Sequence, residues 1–318
     1  MRLNLPVSDE LGRCRNLLLV GIGSGFDVFS ALPLYFELTA RGQRVHLANV
    51  SYQQNLAGAP GTQRLTPRLV GLTAQCRGAV ACFPEVYLSQ WFREKRRQDV
   101  PIWYFEMTGV RSLLEDYRAL VKHLGIDGIL LVDGGIDSLV RGDETSMATV
   151  LEDALSLAAV SCLGNVRVRQ LVCLGFGAEQ EVAHSQAFES IAALAREGAF
   201  LGSCSLTRQM DCYQRYEEAV AWTHRQPGQS PSVINASVVS AVNGRFGDFH
   251  LTEKTRGSRL WISPLMPVYW FFDLMAVANR NLFLSAISGS NTYDEAVRAF
   301  TTWVQSRKVR PEIPIGLP

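Results

Sequence analysis

The residues Leu130-Leu131-Val132-Asp133-Gly134-Gly135-Ile136-Asp137-Ser138-Leu139-Val140-Arg141-Gly142-Asp143-Glu144 combine types and spacing that can do chemistry. An apolar run with the character of a buried strand ends in Asp133. Two glycines follow, then three more acids and an arginine. In open α/β sheets ligands bind beyond the carboxyl ends of strands, and paired glycines let a ligand approach the backbone closely. Asp133 and Asp137, with Asp143 and Glu144, offer hard oxygen ligands suited to a divalent cation, Mg²⁺, Mn²⁺ or Ca²⁺. They suit a sugar hydroxyl or a substrate ammonium group equally. Arg141 is a partner for one of these acids or for a substrate anion. A plainer reading has Asp137 and Asp143 capping turns, Glu144 solvated and only Asp133 functional.

A second candidate is Gly21-Ile22-Gly23-Ser24-Gly25, after the apolar run Asn16 to Val20 and before a helical stretch. In that context glycines bring a ligand phosphate to helix N–H groups. Phe26 stands where the dinucleotide fingerprint has its third glycine, and the next strand ends Asn49-Val50-Ser51-Tyr52 with no acid for a ribose hydroxyl. The alternative is a tight turn without a ligand. Asp27, at the helix start, is either a cap or a contact to a substrate hydroxyl or amine. Further candidates stand at strand ends: Glu106 after Pro101 to Phe105, and Gly175-Phe176-Gly177-Ala178-Glu179 with His184. His184 or Glu179 would serve as general base, although a lone histidine at a helix start is more often a cap or surface group. For Asn235, Ser237, Asn243 and the turn at 244–248, ordinary turn chemistry is favoured over a lid.

These residues need a scaffold. With 318 residues, 47% hydrophobic and 19% charged, the chain can bury a substantial core. A formal charge of +1 creates no general field toward nucleic acid or an anionic membrane. Seven cysteines without a Cys-x-x-Cys pair predict reduced thiols and a cytoplasmic protein. The first six residues lack the apolar core of a signal peptide. The longest uncharged stretch near the C-terminus, Leu260 to Phe272, is too short to span a bilayer. No HxH, HExxH or Cys/His array suggests zinc, and no G-x-S-x-G elbow surrounds Ser203 or Ser205.

Periodicity predicts a strand, glycine turn, helix, strand order at the start, with Pro33 either near a helix N-terminus or kinking it. Helices are predicted at 84–97, 110–124, 147–163, 184–196, 211–224 and 231–242, and strands at 68–72, 101–105, 128–132 and 166–174. A short β pair is expected near 246–251 and 259–262, and Trp270, Phe271 and Phe272 are read as core or a subunit contact.

Three pieces together resemble a prokaryotic family catalogued as a domain of unknown function (number 1152). They are Gly21 to Val28; Asp133-Gly134-Gly135-Ile136-Asp137-Ser138-Leu139 with Arg141-Gly142-Asp143-Glu144; and Glu152-Asp153 with Ser156-Leu157-Ala158-Ala159-Val160. The likeness covers most of residues 16 to 250. It implies a Rossmann-like α/β fold and one site formed by these motifs, and it brings no reaction. Asp133-Gly134-Gly135 is also similar, over those three residues alone, to a run in glutamate cyclases.

The expected architecture is therefore a mostly parallel Rossmann-like sheet with helices on both faces. A core over 1–226 is followed by a mainly helical extension over 227–318 that packs on it, with a single domain overall as the alternative. The expected function is an enzyme acting on a small nucleotide-, sugar- or amino-acid-like metabolite, as a hydrolase, lyase or transferase with Mg²⁺ or Mn²⁺ among its cofactors. Gly21, Gly23, Ser24, Gly25, Asp27, Gly134, Gly135, Arg141 and Glu106 would bind the ligand. Asp133, Asp137, His184 and Glu179 would act in catalysis, and Asp133 and Asp137 would hold the metal. The alternatives are an NAD(P)-dependent oxidoreductase and a non-catalytic ligand-binding or assembly subunit. A homo-oligomer is among the expected states; nucleic-acid and membrane partners are not expected.

Overall fold

Apolar runs without polar alternation need cover on both sides, and the sheet provides it. The computed structural model describes residues 6–52, 59–76, 83–178, 182–258 and 260–315. Among these, the strands are β1 (Asn16–Gly21), β2 (Arg44–Ser51), β3 (Thr62–Arg64), β4 (Leu69–Leu72), β5 (Ile102–Glu106), β6 (Gly128–Gly134), β7 (Val168–Leu174), β8 (Phe200–Ser205) and β9 (Val268–Asp273). They form one sheet in the order β3-β4-β5-β2-β1-β6-β7-β9-β8. The central five, β5-β2-β1-β6-β7, are parallel. β4 and β3 extend one edge and β9 and β8 the other, through antiparallel pairings.

The helices are α1 (Pro6–Leu11), α2 (Asp27–Ser30), α3 (Leu32–Ala40), α4 (Pro84–Arg96), α5 (Val110–Leu124), α6 (Val150–Ser161), α7 (His184–Arg196), α8 (Asp211–His224), α9 (Val233–Val242), α10 (Leu274–Arg280), α11 (Leu284–Ile287) and α12 (Tyr293–Ser306). Alternate residues of each central strand serve opposite cores. Leu18, Val20, Ile129, Leu131 and Leu171 pack with α5, α6, α7 and α10 to α12. Leu17, Leu19, Leu130, Val132 and Val172 pack with α1 to α4, α8 and α9. Burial on both faces explains why these strands read as continuous hydrophobic runs. This is a Rossmann-like α/β fold.

Pro33 breaks the first helical stretch in two. It lies in the first turn of α3, where a missing N–H is tolerated, and Ala31 joins α2 to α3. The expected β pair near the C-terminus is a single antiparallel bridge, Gly247 to Ile262. The expected helical extension also supplies β9, which lies in the central sheet between β7 and β8. Phe271 and Phe272 are accordingly buried.

The topology opens a crevice at one end of the sheet. From β1 the chain steps outward one way through β2 to β5, then returns to β6 and β7 on the other side of β1. The crossovers leaving β1 and β6 thus part on opposite faces and leave a crevice beyond their carboxyl ends, the general ligand position of such sheets.

Candidate functional site

Beyond β1 the chain makes a tight turn with Ser24 at φ +70° and Gly25 at φ +59°. Gly21 packs so closely on Asn49 Oδ1 and the Val28 amide that a Cβ has no room. Asn49, on β2, fixes the turn from beneath: its Oδ1 accepts the Val28 N–H at 3.2 Å and its Nδ2 donates to Gly25 O at 2.9 Å. The same Nδ2 donates to Glu85 Oε1 at 2.7 Å. Burial pushes the Glu85 carboxyl up to about 7, against the lowering effect of Asn49. The strand-two position that carries an acid in dinucleotide sites here holds an amide that serves the turn.

Asp27 begins α2 and lies between the two glycine segments. Its Oδ2 accepts the Gly23 N–H at 2.6 Å. A Cβ on Gly134 would come within 2.6 Å of its Oδ1. Only glycine at Gly134 lets the end of β6 lie this near the carboxylate. Asp133 is 2% exposed, and its Oδ2 accepts the Ser138 N–H at 3.1 Å and the Ser138 hydroxyl. Asp137 starts a 3₁₀ turn, Asp137–Leu139, and accepts the Thr149 hydroxyl at 3.2 Å.

Asp153 comes from the first turns of α6, on the sequence side of the likeness noted above but outside the residues expected to act. It is 2% exposed. Burial, followed by Asp137, Asp133, Asp27 and Glu152, raises its carboxyl well above the usual range. Oxygens of Asp27, Asp133 and Asp153 lie within 4.8 Å of one another, a set able to hold a metal ion. Thr149, just before α6, has φ +48°. Left-handed backbone in a β-branched residue costs on the order of 1–3 kcal/mol and gathers at functional sites. Ser24 and Thr149 both line the cavity described next.

One cavity of about 350 Å³ joins these groups. Its floor holds Asp27, Asp133, Gly134, Asp137, Glu152 and Asp153, with Gly23, Ser24, Gly25 and Phe26 at one side. The opposite wall is Ser230, Ser232, Val233, Ile234 and Lys254. Ser232 caps α9, accepting the Asn235 N–H at 3.1 Å, and Asn235 Nδ2 reaches Phe26 O at 3.3 Å. His224 Nε2 accepts the Ser232 N–H at 3.1 Å. Burial and then Lys254 lower this histidine to about 4, so it stays neutral and able to accept near pH 7. Glu152 also accepts the Tyr52 hydroxyl at 2.7 Å, and that hydroxyl lies 3.0 Å from Tyr293 of α12.

The structure thus brings together Gly23, Ser24, Gly25, Asp27, Asp133, Gly134 and Asp137, with Gly135 against Asp133 and Asp137, while Gly21 packs on Asn49 and the Val28 amide and does not line the cavity. Other expected residues do not line this cavity. Arg141 pairs with Asp143 at 3.6 Å. Glu144 accepts the Arg141 and Gly142 N–H groups at 2.9 and 2.7 Å, a structural role. His184 starts α7 and packs on Phe176, its basicity lowered by burial. Glu106 ends β5 beside Arg68 and Asp116, raised mainly by burial. Glu179 lies outside the described residues.

Sequence reasoning missed Asp153, Glu152 and Lys254 as lining residues, and Asn49, Glu85 and His224 as their supports. Glu152-Asp153 carried a signal: two acids open a helix that begins soon after the Asp-Gly-Gly strand. The others had none, because their roles depend on pairings across the fold.

Fold and site together define a Rossmann-like α/β protein with an acidic cavity at the switch in strand order. The chain belongs to the DUF1152 family, described as a protein of unknown function, whose model matches residues 18–306. That match reaches through α12, well past the span its motifs suggested. A comparison with curated proteins found no match. Among the described residues no helix is long and apolar enough to cross a membrane.

Proposed function

We propose that this protein is an enzyme acting on a small polar metabolite, nucleotide-, sugar- or amino-acid-like, by hydrolysis, elimination or group transfer. The observation that carries the reading is the convergence of a glycine turn and five acidic side chains in one cavity at the switch in strand order. In this reading Gly23 to Gly25 and the first turn of α9 take an anionic end of the ligand, since helix N-termini favour negative charge. Lys254 at the rim neutralises it. Carboxylates on the floor bind hydroxyl or amine groups, and Asp137 and Glu152 are placed to move a proton, in place of His184. Burial among the other acids raises the Asp153 carboxyl well above the usual range, which suits a proton-holding role on the floor. Free cysteines among the described residues support a reducing, cytoplasmic setting.

The order β5-β2-β1-β6-β7 also favours a second reading, a nicotinamide-dependent oxidoreductase, because dinucleotides bind at such a switch. The acidic floor and the amide at Asn49 weigh against it. A thermal-shift screen of nucleotides, amino acids, sugar phosphates and NAD(P)H separates the readings. A ligand at a hundred times its dissociation constant should add about 3 kcal/mol. Asp133→Asn should abolish that gain. Unchanged affinity and turnover in Asp133→Asn would overturn the assignment; stabilisation by NAD(P)H alone would select the second reading; binding without turnover would indicate a ligand-binding subunit.

A further inference from the structure

We infer that Asp27, Asp133 and Asp153 form a divalent-cation centre, selective for Mg²⁺ or Mn²⁺, on the floor of the switch-point cavity. The inference rests on reading that cavity as the ligand site, and it replaces Asp137 with Asp27 and Asp153 among the expected ligands. Each carboxylate comes from a different element: the start of α2, the end of β6 and the first turns of α6. All three are buried. Their candidate ligand atoms lie within 4.8 Å of one another. Around Mg²⁺ with oxygens at about 2.1 Å, trans oxygens stand about 4.2 Å and cis oxygens about 3.0 Å apart, so the three carboxylates draw together as an ion enters. The donors are all oxygen, without imidazole or thiolate, which suits Mg²⁺ and Mn²⁺ better than Zn²⁺ or Cu²⁺.

Asp153 gives independent evidence. Its Oδ1 is buried and has no hydrogen-bond partner among the described residues. A carboxylate oxygen withdrawn from water without a donor is unfavourable, and the group either keeps a proton or meets a cation. That oxygen points to the glycine turn: a Cβ on Gly23 would lie 3.2 Å from Asp153 Oδ1 and 2.7 Å from Asp27 Oδ2. The absent side chain at Gly23 therefore leaves space between two carboxylates from different elements. Lys254, the cation lining the cavity among the described residues, is exposed to solvent, whereas the three aspartates are buried. Ser138 holds Asp133 from behind, and the Gly23 N–H holds Asp27, so both ligands are oriented before an ion arrives. A proton offsets one charge of the trio. A divalent ion offsets two, and leaves coordination positions facing the cavity for water or a ligand oxygen.

The test uses the full chain, stripped with chelator and titrated with MnCl₂ alone, following free Mn²⁺ by electron paramagnetic resonance and the melting temperature in parallel. One Mn²⁺ per chain should bind, raise the melting temperature and be displaced by Mg²⁺. Asp153→Asn should weaken Mn²⁺ binding by about tenfold or more. Glu144→Gln, at an acid outside the cavity, should leave affinity unchanged. Asp153→Asn removes a buried charge without changing shape, and its unfolding curve checks that it folds. If Asp153→Asn proves unstable, Asp27→Asn serves, with the same loss expected. The inference is overturned if wild type binds no Mn²⁺ below about 1 mM, or if a folded Asp153→Asn or Asp27→Asn variant binds as wild type does. Metabolite binding to the chelator-stripped protein without Mn²⁺ binding would remove the metal centre and leave the cavity reading standing.

Discussion

The run from Asp133 to Glu144 contributes acids to two neighbouring places that treat negative charge in opposite ways. Asp143 and Glu144 lie where the C-terminal segment crosses the loop before α6. Arg310 sits 3.4 Å from Asp143 and 3.7 Å from Glu144, and also pairs with Glu189. Arg307 donates to the carbonyls of Gly142 and Glu144 at 3.0 and 2.8 Å. Asp133 and Asp137, a few residues earlier, turn instead into the cavity, where Asp153 is raised by burial and by the acids around it. Acids matched by arginines stabilise a fold. Acids gathered against one another cost stability and are retained where a ligand or an ion balances them. Acids of one short run therefore differ according to what faces them, arginines at one end and other acids at the other.

The sharpest probe of that contrast is pH, and its largest effect is expected at Glu85. This acid is held by an amide, not an arginine, and burial raises it from 4.5 to about 7. A carboxyl raised in the folded state keeps a proton that the unfolded chain has released between those values. Its contribution is thus present below about pH 4.5 and lost as pH rises through about 7. Glu85→Gln should flatten the fall in unfolding free energy over that window, by on the order of 3 kcal/mol at about 1.4 kcal/mol per pH unit. Urea unfolding at pH 5 and pH 7.5 measures it, and equal slopes in variant and wild type would refute it.

Arg310→Ala should cost about 2 kcal/mol by chemical denaturation, because it strands the buried Glu144 and half-buried Glu189. Ligand affinity in the cavity should be unchanged; a parallel loss would mean the two acidic regions are coupled. Asp153→Asn should act in the opposite direction, raising stability in metal-free buffer by about 1 kcal/mol by removing the cost of burying a carboxyl among other acids. Destabilisation there would mean that donors hold this carboxylate as they hold Glu144. The smallest effect is expected for Tyr52→Phe, which removes the hydroxyl shared with Glu152 and Tyr293. About 0.5 kcal/mol should be lost, since Tyr52 is 47% exposed.

Much of the scaffold was legible from pattern. The bounds of α5, α7 and α8 coincide with their periodic stretches, because each ends where a glycine or a proline-containing turn interrupts an amphipathic face. The edge was not legible. β8 and β9 are short and pair antiparallel far from each other in sequence; the Trp270-Phe271-Phe272 run satisfies a core, a subunit contact or a strand equally well. In the site, Asp133 and the glycine turn were readable because strand ends and glycines announce themselves locally. His184 and Arg141 satisfied the same local criteria and lie elsewhere, since a residue's type does not state its direction.

The sequence alone settled that parallel, doubly covered strands would form and that two of them would end in glycine-containing turns, because hydrophobic periodicity and glycine placement are local properties. Only the tertiary structure decided which acids meet. Asp27, Asp133 and Asp153 are separated by more than a hundred residues from first to last, and they converge because the strand order sets β1 beside β6 and lets α6 begin over both. Proximity across that distance depends on how the strands pair, and no local pattern encodes it.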